Sequence, residues 1–308
     1  MKDSRAPRIV LITPVRDEAH HLPALIESVQ TQSLLPVEWI IVDDGSSDET
    51  VNVVITAVNR VPWIRLVRTT DRGKRSVGAG VVEAFYAGFE ALQTSDWEYI
   101  CKLDGDLKLP PRYFQRLVSY FDRDHLLGAA SGKLFLERKD GRPEEEPNSD
   151  EAVWGCANFY RRACFEAVGG FDRVIMWDGI VFHRARMEGW RTRSIRDPEL
   201  CIIEQRAMGA SDGNVLKGRR RWGLGQYVMG THPLFVLAIG AYRALQRPFL
   251  LGGLSILIGY VGAFLRGLER YCHPGFQKSL HAWQFERLGI GRRLEELPPP
   301  PPGLYPGK

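Results

Sequence analysis

EWIIVDDGSSDETVNVVITAVN, residues 38–59, holds one full repeat of the fold. Residues 38–43 are β-branched, aromatic and apolar enough to read as a buried strand. Asp43, Asp44 and Gly45 then mark a sharp exit, and Ser46, Ser47 or Asp48 can cap a helix expected over 48–59. The same order recurs in RIVLIT with a helix over 19–30, WIRLVR with one over 79–92, and YICKLD with one over 111–121. Such alternation predicts an α/β chain with a mostly parallel sheet and helices on both faces. Ligands of such sheets bind outside the carboxyl ends of the strands. Here four of those ends carry charge: Thr13–Glu18, Asp43–Asp48, Arg68–Arg75 and Asp104–Asp106.

At 308 residues, 44% hydrophobic and 25% charged, the chain has enough material for one large core with an appendage. The five cysteines form no C-x-x-C pair, which points away from a disulfide framework or a zinc site. The first apolar run is too short for a signal segment, so the catalytic part is expected on the cytoplasmic side. Charge is unevenly spread. Residues 216–308 hold 13 Lys/Arg against 4 Asp/Glu, leaving 28 against 33 in residues 1–215. Three regions follow: an α/β domain over 1–215, a basic, apolar helical region over 216–290, and a Pro-rich tail over 291–308.

Asp43 and Asp44 are more than a cap requires, and carboxylates at a strand end suit ribose hydroxyls or base amides. Pro14, Arg16, Asp17 and Glu18 stand on the neighbouring strand end, where Arg16 could instead pair with Glu18. TTDRGKRSVGAG departs from the G-x-x-x-x-G-K-[ST] phosphate loop, with Arg68 and Arg75 at two of its fixed positions. It leaves a cationic loop in which Arg72, Gly73, Lys74 and Arg75 can meet anionic oxygens or simply be solvated. Asp104 and Asp106 flank Gly105 after an apolar strand. Two carboxylates so close repel unless a cation offsets them, and hard oxygen donors of this kind suit Mg²⁺ or Mn²⁺.

TPVRDEA (13–19), VDDGSSDET (42–50), DRGKRSVGAG (71–80) and KLDGD (102–106), in this order and spacing, resemble the family 2 glycosyltransferases over about residues 8–200. The resemblance implies the GT-A fold and inverting transfer from a nucleoside-diphosphate sugar, with UDP the leading nucleotide. It implies that Asp17 and Asp44 hold the nucleoside, Asp104 reaches the ribose and metal, and Asp106 is the main metal ligand. Trp154, Gly155 and Asn158 match the segment lining the donor and acceptor pocket. The family's base lies in a Glu-Asp pair at a helix start; here Trp177 precedes Asp178, which takes the base role. His183 is expected to be a surface or packing residue. Arg221 and Trp222, a candidate donor or acceptor loop, match part of the Q/R-x-x-R-W motif of processive members, but Gly218 holds its first position, which favours addition of a single sugar.

The last region contains an uncharged 18-residue run, Pro248–Leu265, flanked by Arg243, Arg247, Arg266 and Arg270. Basic residues on both sides disfavour a single crossing. A re-entrant hairpin or interfacial helices on an anionic membrane fit better, with Ser255, Gly259 and Ala263 spaced for close helix packing. The resulting expectation is a membrane-associated transferase acting on a hydroxyl of a lipid-linked or glycan acceptor in surface polysaccharide assembly, without nucleic acid. A polyprenyl-phosphate acceptor, a sugar-1-phosphate nucleotidyltransferase and a non-catalytic nucleotide-sugar binder are the alternatives. The nucleotidyltransferase would need a glycine-rich loop after its first strand, and TPVRDEAHHL has no glycine.

Overall fold

Residues 38–43 are buried along their whole length, as a strand covered on both faces requires. The computed structural model describes residues 5–73, 76–137, 143–206 and 215–290. In it β2 (Glu38–Asp43) lies between β1 (Ile9–Val15) and β3 (Ile64–Arg68), and β1 also pairs with β4 (Tyr99–Leu103), all in parallel. The connecting helices are α1 (Leu22–Gln30), α2 (Thr50–Val58) and α3 (Ala79–Glu90). Helix α1 starts three residues later than its sequence suggests, because the amides of His21 and Leu22 close a preliminary turn on the Glu18 carbonyl. The register sets Val15, Asp43 and Arg68 side by side at one sheet edge.

After β4 come β5 (Leu107–Lys108), α4 (Tyr113–Arg123), β6 (Leu127–Gly132), β7 (Leu134–Glu137) and β8 (Pro143–Glu145). They are followed by β9 (Ala157–Arg161), α5 (Arg162–Ala167), α6 (Trp177–Met187), β10 (Arg191–Ile195) and β11 (Ile202–Glu204). The main sheet runs β10-β6-β9-β4-β1-β2-β3, with β9 antiparallel to both of its neighbours. Leu25, Val54, Phe114 and Phe159 fill one face under α1, α2 and α4; Val42, Phe85, Tyr160 and Val181 fill the other under α3, α5 and α6. A second sheet, β5-β11-β7-β8, stands at the end of β4. Residues 143–145, in a polar and acidic stretch, belong to it: they pair with the open edge of β7, whose backbone groups would otherwise lack partners.

The C-terminal helices are α7 (Val215–Met229), α8 (Pro233–Ala244), α9 (Leu251–Leu265) and α10 (Phe276–Arg287). Helices α7 and α9 cross at glycines: a Cβ on Gly223 would lie 1.9 Å from the Ile256 carbonyl oxygen, and one on Gly259 would lie 2.0 Å from that of Arg220. The four-residue spacing of Gly259 and Ala263 thus serves packing within the chain. No described helix is long and apolar enough to cross a membrane. Helix α9 takes only 15 residues of the apolar run, since the chain enters it at Leu250 with φ 55. Helix α10 returns to α6, burying Phe276 and Leu280 against Ile180 and Met229. The Pro-rich stretch 298–302 and the tail around it lie outside the described residues.

The crossing makes a sharp contrast testable. Gly259→Ala should lower stability by on the order of 1–3 kcal/mol, because backbone must move to admit the methyl group. Gly262→Ala, a few residues along the same helix with open space around it, should be neutral or stabilise by up to about 1 kcal/mol through helix propensity. Urea unfolding of the two variants measures the difference.

Candidate active site

The carboxyl ends of β1 and β2 converge on two acids with different surroundings. Asp43 is fully buried, and its Oδ1 accepts the Ser46 amide at 3.0 Å, closing the turn at Gly45. Gly45 has φ +79, and a Cβ there would strike the Asp71 side chain, so both its conformation and its surroundings call for glycine. Asp44 accepts the Arg72 guanidinium at 2.7 Å and the Thr69 hydroxyl at 3.0 Å. Arg72 also reaches Glu83 and the Gly80 carbonyl, so this cationic side chain is anchored between carboxylates at the edge of the cleft.

Asp17, at φ 53, accepts the amide and hydroxyl of Ser47, and Asp48 accepts the amides of Ala19 and Thr50. Together they fasten the first loop to the second. Pro14 sits within β1 opposite Val42. The suggested Arg16–Glu18 pair does not form: Arg16 binds the Asp44 carbonyl at 2.6 Å and Asp71 at 2.9 Å, while Glu18 turns inward to Arg206 at 2.7 Å. Gly73, at φ +71, donates its amide to Asp71 at 2.8 Å. Lys74 and Arg75 lie outside the described residues.

The two acids after β4 are each met by a cation of the chain. Asp104 pairs with Lys102, whose buried Nζ also donates to the Gly155 carbonyl at 2.9 Å and sits 5.3 Å from the centre of the Trp177 ring. Asp106 is 4% exposed and pairs with Arg206 at 2.8 Å. Withdrawal from water pushes the Asp104 carboxyl up, Lys102 pulls it back, and Asp106 raises it again. Gly105 lets this loop press on β1: a Cβ would stand 3.0 Å from Val15 and 3.4 Å from Glu18.

Strand β11 adds what the sequence did not mark. The pairing of Glu204 with Leu107, and of the Gln205 amide with the Asp106 carbonyl at 2.9 Å, brings Glu204 and Arg206 to the acidic pair. Burial, then Asp106 and Asp104, push the Glu204 carboxyl up to about 9, and its Oε2 has no hydrogen-bond partner. No spacing rule links residue 204 to residue 106; only the antiparallel ladder does.

Strand β9 forms the opposite wall. Its register sets Asn158 against Lys102. Asn158 is 1% exposed, with neither amide atom hydrogen-bonded, and the Trp154 indole N–H is likewise buried without a partner. Asp178 lies in the first turn of α6, entered through Met176 at φ 64. Its Oδ2 would be 2.5 Å from a Cβ on Gly155, so the carboxylate rests on the bare Gly155 backbone. Burial raises the Asp178 carboxyl, and the Gly179 amide and Lys102 lower it. Lys102 therefore acts on both acids, pairing with Asp104 and holding the carbonyl of the Gly155 on which Asp178 rests.

One sequence expectation needs correction. Arg221 and Trp222 belong to helix α7 rather than to a loop, and Trp222 packs in the α7–α9 cluster beneath Arg243. Of the two readings of His183, packing holds: it is buried among Phe182, Phe276 and Trp283.

Among the described residues no three His, Cys, Asp or Glu side chains are arranged as a ready metal cage. The donor chemistry still fits a hard divalent ion, since Asp104 and Asp106 set two carboxylates at the carboxyl end of β4, each met by a cation of the chain. Such an ion would compete with Lys102 and Arg206 for these carboxylates.

The family model described as "Glycosyl transferase family 2" matches residues 10–154. Over 123 residues the chain is 32% identical to the undecaprenyl-phosphate 4-deoxy-4-formamido-L-arabinose transferase of Yersinia enterocolitica, covering 38% of this chain and 35% of that protein. Among solved structures, the mannosyltransferase PcManGT of Pyrobaculum calidifontis, in complex with GDP-Man and Mn²⁺, superposes with a TM-score of 0.53 at 17% identity, covering 93% of this chain and 86% of that one. TarS 1–349 of S. aureus in complex with UDP gives 0.54 at 13% identity, covering 92% and 88%. These two likenesses establish the fold, a GT-A-type α/β architecture. The chain carries a family 2 glycosyltransferase domain over residues 10–154. It spans about a third of the length of the arabinose transferase it matches.

The environment of His183 sets a pH dependence. Burial, then Arg186, lowers its imidazole from 6.5 to about 3, so the unfolded chain takes up a proton in that window while the folded chain does not. Stability should fall as pH drops from about 6.5 towards 3, by on the order of 2 kcal/mol at pH 4.5 from this residue. Urea unfolding at pH 7 and pH 4.5 should show a smaller difference in His183→Leu than in the wild type.

Proposed function

We propose that the chain is an inverting glycosyltransferase that moves one sugar from a nucleoside-diphosphate sugar to a hydroxyl of a lipid-linked or glycan acceptor. The reaction would take place on the cytoplasmic face of a membrane, with UDP the first donor nucleotide to test. The observation that carries this reading is the placement of Asp178. Its carboxylate lies on Gly155, whose carbonyl accepts the same Lys102 that pairs with Asp104, which supports reading Asp104 as the donor-side acid and Asp178 as the acceptor-side acid.

The donor nucleoside would lie along the β1–β2–β3 edge against Pro14, Arg16, Asp17, Asp43 and Asp44, with Arg72 and Gly73 at the rim. Its diphosphate would approach Asp104 and Asp106. A divalent ion bound there, Mg²⁺ or Mn²⁺, would supply Lewis-acid charge for the departing diphosphate. Trp154, Gly155 and Asn158 would line the sugar, the unpaired Asn158 amide offering a donor and an acceptor to its hydroxyls. Asp178 would take the proton of the acceptor hydroxyl as that oxygen bonds the anomeric carbon. The carbon–oxygen bond to the diphosphate breaks on the opposite side, which inverts the configuration. Lys102 favours the ionised form of Asp178 that this step needs.

A phosphate acceptor is the second reading, supported by the undecaprenyl-phosphate transferase named above. An ionised phosphate has no proton to give, so it would attack without Asp178.

Two measurements test the proposal. Calorimetric titration with UDP, GDP, dTDP and CMP should show one nucleotide binding with Mn²⁺, at least tenfold weaker in EDTA or in Asp106→Ala, the scale of losing about 1.4 kcal/mol. Binding of none would overturn the donor site. With an active donor and acceptor pair, Asp178→Asn should lose about 10²–10⁴-fold in kcat, the range of general-base catalysis. Full activity in that variant would transfer the assignment to the phosphate acceptor.

A further inference from the structure

Of the eighteen large apolar side chains that stand exposed among the described residues, twelve fall between Leu234 and Leu265. They are ordered. In α9 the exposed Leu251, Leu254, Ile258, Val261 and Leu265 recur at intervals of three and four, which places them on one stripe. The opposite stripe, Ile256, Gly259 and Ala263, is buried, with Gly259 against α7. Helix α8 exposes Leu234 and Leu237, with Leu245 at its C-terminal end, and Phe249 and Leu250 continue the apolar surface through the connection to α9. Leu245, Leu250 and Leu265 are 78%, 73% and 76% exposed. A contiguous apolar surface of this kind marks an interaction site.

Charge identifies the occupant. From residue 213 to residue 268 the chain has no acidic residue. Arg247 stands exposed just before α9 and Arg266 just after it. Arg243 is excluded from this rim because it is engaged by Glu146 at 3.1 Å. An apolar stripe with arginine at both ends matches lipid tails below and anionic headgroups around them. A second copy of the chain fits less well, since apposed faces would bring like-charged rims together with no carboxylate between them.

We infer that the α8–α9 face docks on an anionic lipid bilayer, with α9 lying in the plane of the interface. A helix of 15 residues is about 22 Å long, short of the roughly 30 Å hydrocarbon core, and α7 occupies its reverse side. The inference deepens the proposed function, on which it rests for its purpose: it names the surface by which a lipid-linked acceptor would be met. The evidence for the face itself is independent of the chemistry.

Vesicle flotation of the full chain, without nucleotide or metal, is the test. The wild type should float with phosphatidylcholine vesicles containing phosphatidylglycerol, and less with phosphatidylcholine alone. Leu254→Glu/Ile258→Glu/Val261→Glu should lower that binding by about tenfold or more, and Arg247→Glu/Arg266→Glu should abolish the preference for phosphatidylglycerol. All five positions are exposed, and an unchanged circular dichroism melt keeps folding out of the result. Failure of the wild type to float, or equal flotation of the triple-glutamate variant, would overturn the inference. So would a wild-type dimer that the triple variant converts to monomer without any vesicle binding. Flotation with no nucleotide binding in calorimetry would sink the transferase reading and leave this surface standing; nucleotide binding without flotation would do the reverse.

Discussion

Two carboxylates leaving the same strand end within three residues must be neutralised, and the way this chain does so organises its cleft. Asp104 is met by Lys102 from within β4, and Asp106 by Arg206 from the far end of β11. The second contact needs the small sheet, because only the pairing of β11 with β5 carries residue 206 to residue 106. Glu18 joins the same guanidinium from the loop after β1, so Arg206 ties three segments that are remote in sequence. A charge arrangement of this kind is costly if one member is lost and modest in net stabilisation when complete. Its significance is therefore positional: it holds oxygen donors and cations together where the main sheet offers its binding edge.

The antiparallel strand β9 supplies the other half. By entering between β4 and β6 it lays Asn158 against Lys102, and it begins just after Gly155, where the missing side chain leaves room for the Asp178 carboxylate. Lys102 binds the Gly155 carbonyl and Asp104 at once. One buried side chain of β4 thus ties the loop that carries Asp104 to the Gly155 backbone on which the Asp178 carboxylate rests.

Much of this was legible in the sequence where the signal is local. The strands 38–43 and 99–103, the turn at Gly45 and the D-G-D motif follow from apolar runs ending in acids, and the motif order 13–106 points to the family whose model matches residues 10–154. What stayed hidden depends on distant pairing. Lys102 reads as an ordinary polar residue beside a strand end, and nothing local shows that it is buried over Trp177. Glu204 and Arg206 follow a three-residue strand too short to announce itself. In RRRW the pattern suggested a loop motif, whereas tertiary contact with Arg243 and the α7–α9 glycine crossing made it helix.

The C-terminal helices show why hydropathy alone could not settle their role. The run from Pro248 to Leu265 is uniformly apolar, yet its residues divide between a stripe closed by α7 and a stripe left open. Helix α7 is itself seated on the site. A Cβ on Gly225 would fall 2.4 Å from the Met176 side chain, which begins α6, and one on Gly179 would fall 3.1 Å from the Met229 sulfur. Continuous contact therefore runs from the open stripe of α9, through its glycine crossing with α7, to the first turn of the helix that carries Asp178. Close-packed interiors transmit displacement because they have little free volume to absorb it. A body resting on α9 would accordingly hold α6, and Asp178 with it, in a fixed attitude to whatever surface bears the acceptor.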